Sequence, residues 1–150
     1  MKRISVILLM FTVFVACNKV SKEEQAKIDK DLIVDYVAKN DLSGEFTGTD
    51  LWFDIETQGT GEQAYSNAQV TVAYTGYLLN GTQFDKSSDE GITFSLNSVI
   101  EGWRQGIPKF KEGGKGKLII PSELGYGSSG SGSIPGNSVL IFDIELIHVF

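Results

Sequence analysis

The chain is poor in the side chains that most enzyme chemistry needs. It has one cysteine and one histidine in 150 residues. A single thiol cannot form an internal disulfide, and Cys17 stands near the amino terminus, far from any other reactive group in sequence. His148 has no Cys, His or carboxylate at metal-ligand spacing, so neither a zinc or iron site nor a Ser-His-Asp hydrolase is expected, and no cofactor is implied. Positive charge is also scarce. With 13 Lys and Arg against 19 Asp and Glu the net charge is -6, which disfavours nucleic-acid phosphates as partners. Gly125-Tyr-Gly127-Ser-Ser-Gly130 matches a dinucleotide fingerprint in form, but Ser131-Gly-Ser-Ile-Pro135 follows where a helix has to start. It is read as a flexible loop.

What the chain does have is a set of rings beside turn-forming residues. Val70-Thr-Val-Ala-Tyr74-Thr-Gly76 is followed by Asn80-Gly81-Thr-Gln-Phe84-Asp85, then by Val99-Ile100-Glu-Gly102-Trp103, Gly125-Tyr126-Gly127, and Leu140-Ile-Phe142. Turns next to large rings can aim them at one concavity. Any one of these rings taken alone is better explained as ordinary core.

The periodicity predicts where the rings sit. Ser21-Lys-Glu-Glu24 has capping-box spacing, and Ala26, Ile28, Leu32, Ile33, Tyr36 and Val37 form a ragged stripe, predicting a helix over 23–39. It is read as packing on its own domain, the alternatives being a spacer or a dimer contact. Leu51, Phe53 and Ile55 then alternate with Trp52, Asp54 and Glu56 as in a half-buried strand. Val70, Val72 and Tyr74 repeat that rhythm, with a hairpin turn at Asn80-Gly81. Further strands are predicted over 92–96, 117–121 and 139–150. Asn97 or Ser98 is expected to cap a short helix carrying Val99, Ile100, Trp103 and Ile107. Strands with one short helix indicate an α+β fold, an antiparallel sheet wrapped on that helix.

Taken in order, the segments from about residue 49 to 150 resemble an FKBP-type peptidyl-prolyl cis-trans isomerase domain. The resemblance implies a curved antiparallel sheet of about five strands around one helix, here with an extra amino-terminal helix. It implies Trp103 as the floor under a substrate proline ring, with Tyr74, Phe84, Val99 and Phe142 as walls and Ile92 where relatives often carry an aromatic. The Ile100 N–H and the Tyr126 hydroxyl would bond substrate carbonyls. Asp85 would accept from Tyr74 and place charge beside the twisting amide; read locally, it is an Asx-turn residue. Residues 127–134 would be a mobile flap contributing Ile134, loosened further by Gly136 where many relatives have a second Pro. The implied partners are proline-containing polypeptides and macrolide immunosuppressants. A binding module or chaperone with little turnover, and a purely structural envelope protein, are the competing readings.

Ahead of this domain, Met1-Lys-Arg3 and the apolar run Ile4 to Ala16 read as a signal peptide, too short to span a core that needs ~20 apolar residues. Phe14-Val-Ala-Cys17 resembles a bacterial lipobox, with Phe14 in place of the usual Leu. That predicts a signal peptide over 1–16, a lipidated Cys17 opening a helix-and-linker region over 17–48, and an isomerase domain over 49–150. An ordinary signal peptide with an incidental Cys, or an uncleaved leader, is the alternative. Asn18 is not the Asp that commonly retains lipoproteins at an inner membrane, so a monomer lipid-anchored in the cell envelope, at the outer membrane, is expected.

Overall fold

The computed structural model describes residues 20–150, so the leader and Cys17 lie outside the described residues. Helix α1 runs Lys22–Lys39, and the Ser21 hydroxyl accepts from the Glu24 N–H at 3.1 Å, as the capping-box spacing predicts. Asn40 ends it, with its side-chain amide donating to the Tyr36 carbonyl at 2.8 Å.

Seven strands follow: β1 Glu45–Phe46, β2 Trp52–Thr57, β3 Gln69–Leu78, β4 Gln83–Lys86, β5 Ile92–Ser95, β6 Lys115–Ile120 and β7 Leu140–Val149. They form one antiparallel sheet in the order β1-β2-β6-β7-β3-β4. β5 shares the β4 side of β3, pairing with residues 69–72 while β4 pairs with 75–77. With two-residue β1 set aside, the strands occupy five side-by-side positions, in keeping with the sequence expectation. β3 and β7 are central because each is ten residues long and rich in β-branched side chains. The Asn80-Gly81 turn closes the β3–β4 hairpin, with Leu78 N–H donating to the Thr82 carbonyl at 2.9 Å.

The short helix starts later than expected. Ser95, not Asn97 or Ser98, caps a 3-10 turn over Leu96–Ser98; Val99 and Ile100 are extended, and helix α2 spans only Glu101–Gly106. Two β-branched residues in a row favour this extended link. It holds the Ile100 N–H outside the helical ladder while the Ile100 carbonyl accepts from Trp103 and Arg104.

The sheet is covered on both faces. On one, Phe53, Val70, Val72, Leu118, Ile120, Leu140, Phe142 and Leu146 pack against Trp103 and Ile107. On the other, Ile33 of α1 packs with Trp52, Ile119, Val139 and Ile141. α1 therefore packs on its own domain. The alternation in β2 puts Trp52 on the side opposite Phe53 but cannot show that this side is roofed, and Trp52 is only 1% exposed. Each such side chain contributes about 1.5–3 kcal/mol by leaving water.

Candidate active site

Four rings meet where β3, β4 and β7 cross the start of α2. Tyr74 and Trp103 meet edge to face at 4.8 Å between centroids, Trp103 and Phe142 at 5.1 Å, and Phe84 and Phe142 at 5.5 Å. Offset or T-shaped contacts of this kind suit the ring quadrupole and are worth about 0.5–1.5 kcal/mol each beyond area burial. Gly76, in register with both Asp85 and Phe142, makes the close approach possible. A Cβ there would lie 2.7 Å from the Phe84 ring and 2.9 Å from the Phe142 ring.

These rings enclose a cavity of about 390 Å³, a size typical of small-ligand pockets. The Trp103 indole lies in it as a nearly buried surface, and its N–H has no acceptor among the described residues. Val99 and Ile100 line it from the extended link before α2, Tyr126 and Ile92 form more exposed edges, and Asp85 lies at the rim. The structure thus brings together Tyr74, Phe84, Asp85, Ile92, Val99, Ile100, Trp103, Tyr126 and Phe142.

Ile134 does not line the cavity. Its side chain is packed into the main core, and its backbone exchanges two hydrogen bonds with Ser131, at 2.8 and 3.0 Å. A lone aliphatic in a Ser/Gly loop gains more by entering the core than by lying over an open pocket. The loop is also better tied than its composition suggests, with Asn137 N–H donating to the Gly127 carbonyl and Gly130 N–H to the Tyr126 carbonyl. Gly136 does not loosen it: a Cβ there would lie 2.1 Å from the Ser128 carbonyl oxygen, so glycine is what lets the two backbone segments touch.

Phe94 and Ser98 also line the cavity, and neither was singled out from sequence. Phe94 had a signal. Two-residue alternation from Ile92 puts it on the same face of β5, and its ring lies 5.2 Å from that of Trp103. Ser98 had none, because its place depends on the 3-10 turn that its own hydroxyl helps close on the Ser95 carbonyl.

The polar chemistry is confined to one edge. The Tyr74 hydroxyl donates to Asp85 Oδ2 at 2.7 Å, and Asp85 Oδ1 accepts from the Lys86 N–H at 2.8 Å. Burial, then the hydrogen bond and charge of Asp85, push the Tyr74 phenol well above its ordinary range, so it stays protonated and serves as a fixed donor. Among the described residues no group of three or more His, Cys, Asp or Glu is arranged to hold a metal ion. The cavity offers desolvation, ring contacts, the Ile100 backbone N–H, the Tyr126 hydroxyl and one carboxylate. It has no nucleophile–base pair.

The family model for FKBP-type peptidyl-prolyl cis-trans isomerases matches residues 60–147, more than half of the chain. The chain belongs to this family. β2 lies before the matched segment but pairs with β6 in the same sheet. An FK506-binding protein of Neisseria meningitidis serogroup B is 48% identical over 98 residues, which cover 62% of this chain and 90% of that protein. FkpA, an FKBP-type isomerase of Aeromonas hydrophila, is 40% identical over 141 residues, 87% of this chain and 53% of that one. The chain thus spans about half the length of the FkpA relatives it matches. Among solved structures, a peptidyl-prolyl isomerase from Pseudomonas syringae superposes with a TM-score of 0.75 at 32% identity, covering 87% of this chain and 97% of that one. FkpA from Escherichia coli superposes at 0.73 with 37% identity, over 85% of this chain and 62% of that one.

Proposed function

We propose that this chain is a peptidyl-prolyl cis-trans isomerase acting on extracytoplasmic proteins whose folding waits on X-Pro bonds. The observation that carries this reading is the chain of ring contacts from Tyr74 through Trp103 and Phe142 to Phe84 beside a small cavity rimmed by Asp85. Rotation about X-Pro meets a barrier of ~20 kcal/mol from amide resonance, and no covalent bond is made or broken. When the amide twists it loses conjugation and its carbonyl becomes less polar, so moving it out of water favours the twisted state over the planar one. Trp103 supports the proline ring while Phe84, Val99 and Phe142 keep water out. The Ile100 N–H and Tyr126 hydroxyl hold the flanking carbonyls, and Asp85 puts charge beside the rotating bond. Binding is then stronger at the transition state than in the ground state.

A protease-coupled assay with a proline peptide tests this directly. Residues 21–150 at micromolar concentration should accelerate isomerisation, and no acceleration would leave a proline-binding module in its place. The similarity to a protein named for binding FK506 supports a macrolide ligand in the same cavity.

We also propose that Cys17 carries lipid and holds the protein, as a monomer, on an envelope membrane, the outer one. The support is the apolar leader ending at the chain's only cysteine. Attached acyl chains add ~0.8 kcal/mol per buried methylene, so more than one suffices for stable anchoring. Mass spectrometry of the native protein should find Cys17 acylated and amino-terminal, and an unmodified thiol there would end this part of the reading.

A further inference from the structure

Asp29 is the one charged side chain that is fully buried among the described residues, at 1% exposure, and the isomerase reading gives it no part. A buried carboxylate is tolerated only when its oxygens are satisfied. Here Oδ1 accepts from the Gln25 side-chain amide at 2.8 Å and Oδ2 from the Ser122 backbone N–H at 2.7 Å. The second bond joins α1 to a residue 93 positions away.

Ser122 opens the 3-10 turn Ser122–Leu124, which follows Pro121 and has no side-chain cap of its own. The first N–H groups of such a turn have no partner inside it, and Asp29 supplies one from another element. The Ser122 carbonyl in turn accepts from Gly125 N–H at 3.0 Å and from Gly127 N–H at 2.8 Å, the two residues flanking Tyr126. A charge-assisted bond is about twice as strong as a neutral one, so the carboxylate fixes Ser122, and Ser122 fixes both shoulders of Tyr126. The other polar link of α1 to this turn, Lys22 to Glu123 at 3.3 Å, is exposed and contributes little.

We propose that Asp29 is a positioning residue for Tyr126, and that α1, which lies outside the segment matched by the family model, sets the placement of one wall of the cavity. The proposal rests on the reading of Tyr126 as a substrate-contacting group. Asp29→Ala, Asp29→Asn, Tyr126→Phe and the Asp29→Ala/Tyr126→Phe pair, made in the full chain, test it by peptide isomerisation and by amide hydrogen exchange. Asp29→Ala should lower kcat/KM several-fold at a temperature where near-ultraviolet circular dichroism shows it folded. Asp29→Asn, which keeps an acceptor, should recover most of that loss. In the Tyr126→Phe background Asp29→Ala should cost nothing further, because the hydroxyl it positions is gone. Exchange at the Gly125 and Gly127 amides should be about tenfold faster in Asp29→Ala.

Wild-type kcat/KM in folded Asp29→Ala, or losses that multiply in the pair, would overturn the proposal. If Asp29→Ala does not fold, Asp29→Leu, which fills the same space without an acceptor, decides: weakened protection confined to 122–127 supports the link and unchanged protection refutes it. The exchange measurement also separates the two claims. A wild-type protein without isomerase activity would remove the reading of the site, while accelerated exchange in the variant would still establish the tie and unchanged exchange would overturn it.

Discussion

Asp85 and Phe142 show how differently two residues of one cavity respond to substitution. Asp85 lies at the rim, bonded to the Tyr74 hydroxyl and the Lys86 N–H. Asp85→Asn keeps the volume and an acceptor and removes only the charge. It should leave thermal stability nearly unchanged and reduce kcat/KM about tenfold, the effect of losing ~1.4 kcal/mol at the transition state. Undiminished turnover in the peptide assay would show that the carboxylate is an Asx-turn residue only. Phe142 is 3% exposed and belongs to the main core as much as to the cavity. Phe142→Ala should therefore lose about 3–5 kcal/mol of stability in urea denaturation, and turnover should fall with the folded fraction as well as with the missing wall. Both residues were legible from the rings and turn chemistry around them. Ile134 was misplaced because local sequence says that an aliphatic interrupts a polar loop, and not which apolar surface it will reach.

At the scale of elements, α1 and the β6–β7 end of the sheet make separate predictions. Ile33 is the fully enclosed contact between α1 and the sheet. Ile33→Ala should cost about 2–5 kcal/mol in urea denaturation, whereas an appended, undocked helix would show almost none. At the far end, Glu112 Oε2 accepts from the Val149 N–H at 2.9 Å and from His148 Nδ1 at 2.7 Å. The Val149 hydrogen bond first, and His148 after it, hold the Glu112 carboxyl below its usual 4.5. A depressed carboxyl contributes stability that is present above its unfolded value and lost as pH falls through the folded one. Acidification below about pH 4.5 should thus destabilise the native protein, and Glu112→Gln should flatten that slope in thermal unfolding followed against pH. An identical slope in the variant would assign acid sensitivity to other carboxylates.

The whole molecule places its two tryptophans on opposite faces of one sheet, Trp103 under the cavity and Trp52 under α1. That separation makes them independent reporters. With Trp52→Phe, the remaining emission from Trp103 should change saturably when a proline peptide or a macrolide enters the cavity. With Trp103→Phe, emission from Trp52 should stay constant under the same titration. A response from Trp52 would mean that ligand binding rearranges the sheet as a whole, and silence from Trp103 would remove it as the floor.

The amino-acid sequence alone determined the periods and the punctuation. The capping box located α1, two-residue alternation located the strands, and turn residues near large rings marked Tyr74, Phe84, Trp103, Tyr126 and Phe142 as candidates for one concavity. These are short-range properties, set by backbone geometry within a few residues. Only the tertiary structure decided what covers what. The roof over Trp52, the inward turn of Ile134, the late start of α2 that puts Ser98 at the cavity and the Asp29–Ser122 bond all depend on elements distant in the chain. Alternation says which way a side chain points, but the burial free energy belongs to whichever distant surface meets it, and no local pattern encodes that meeting.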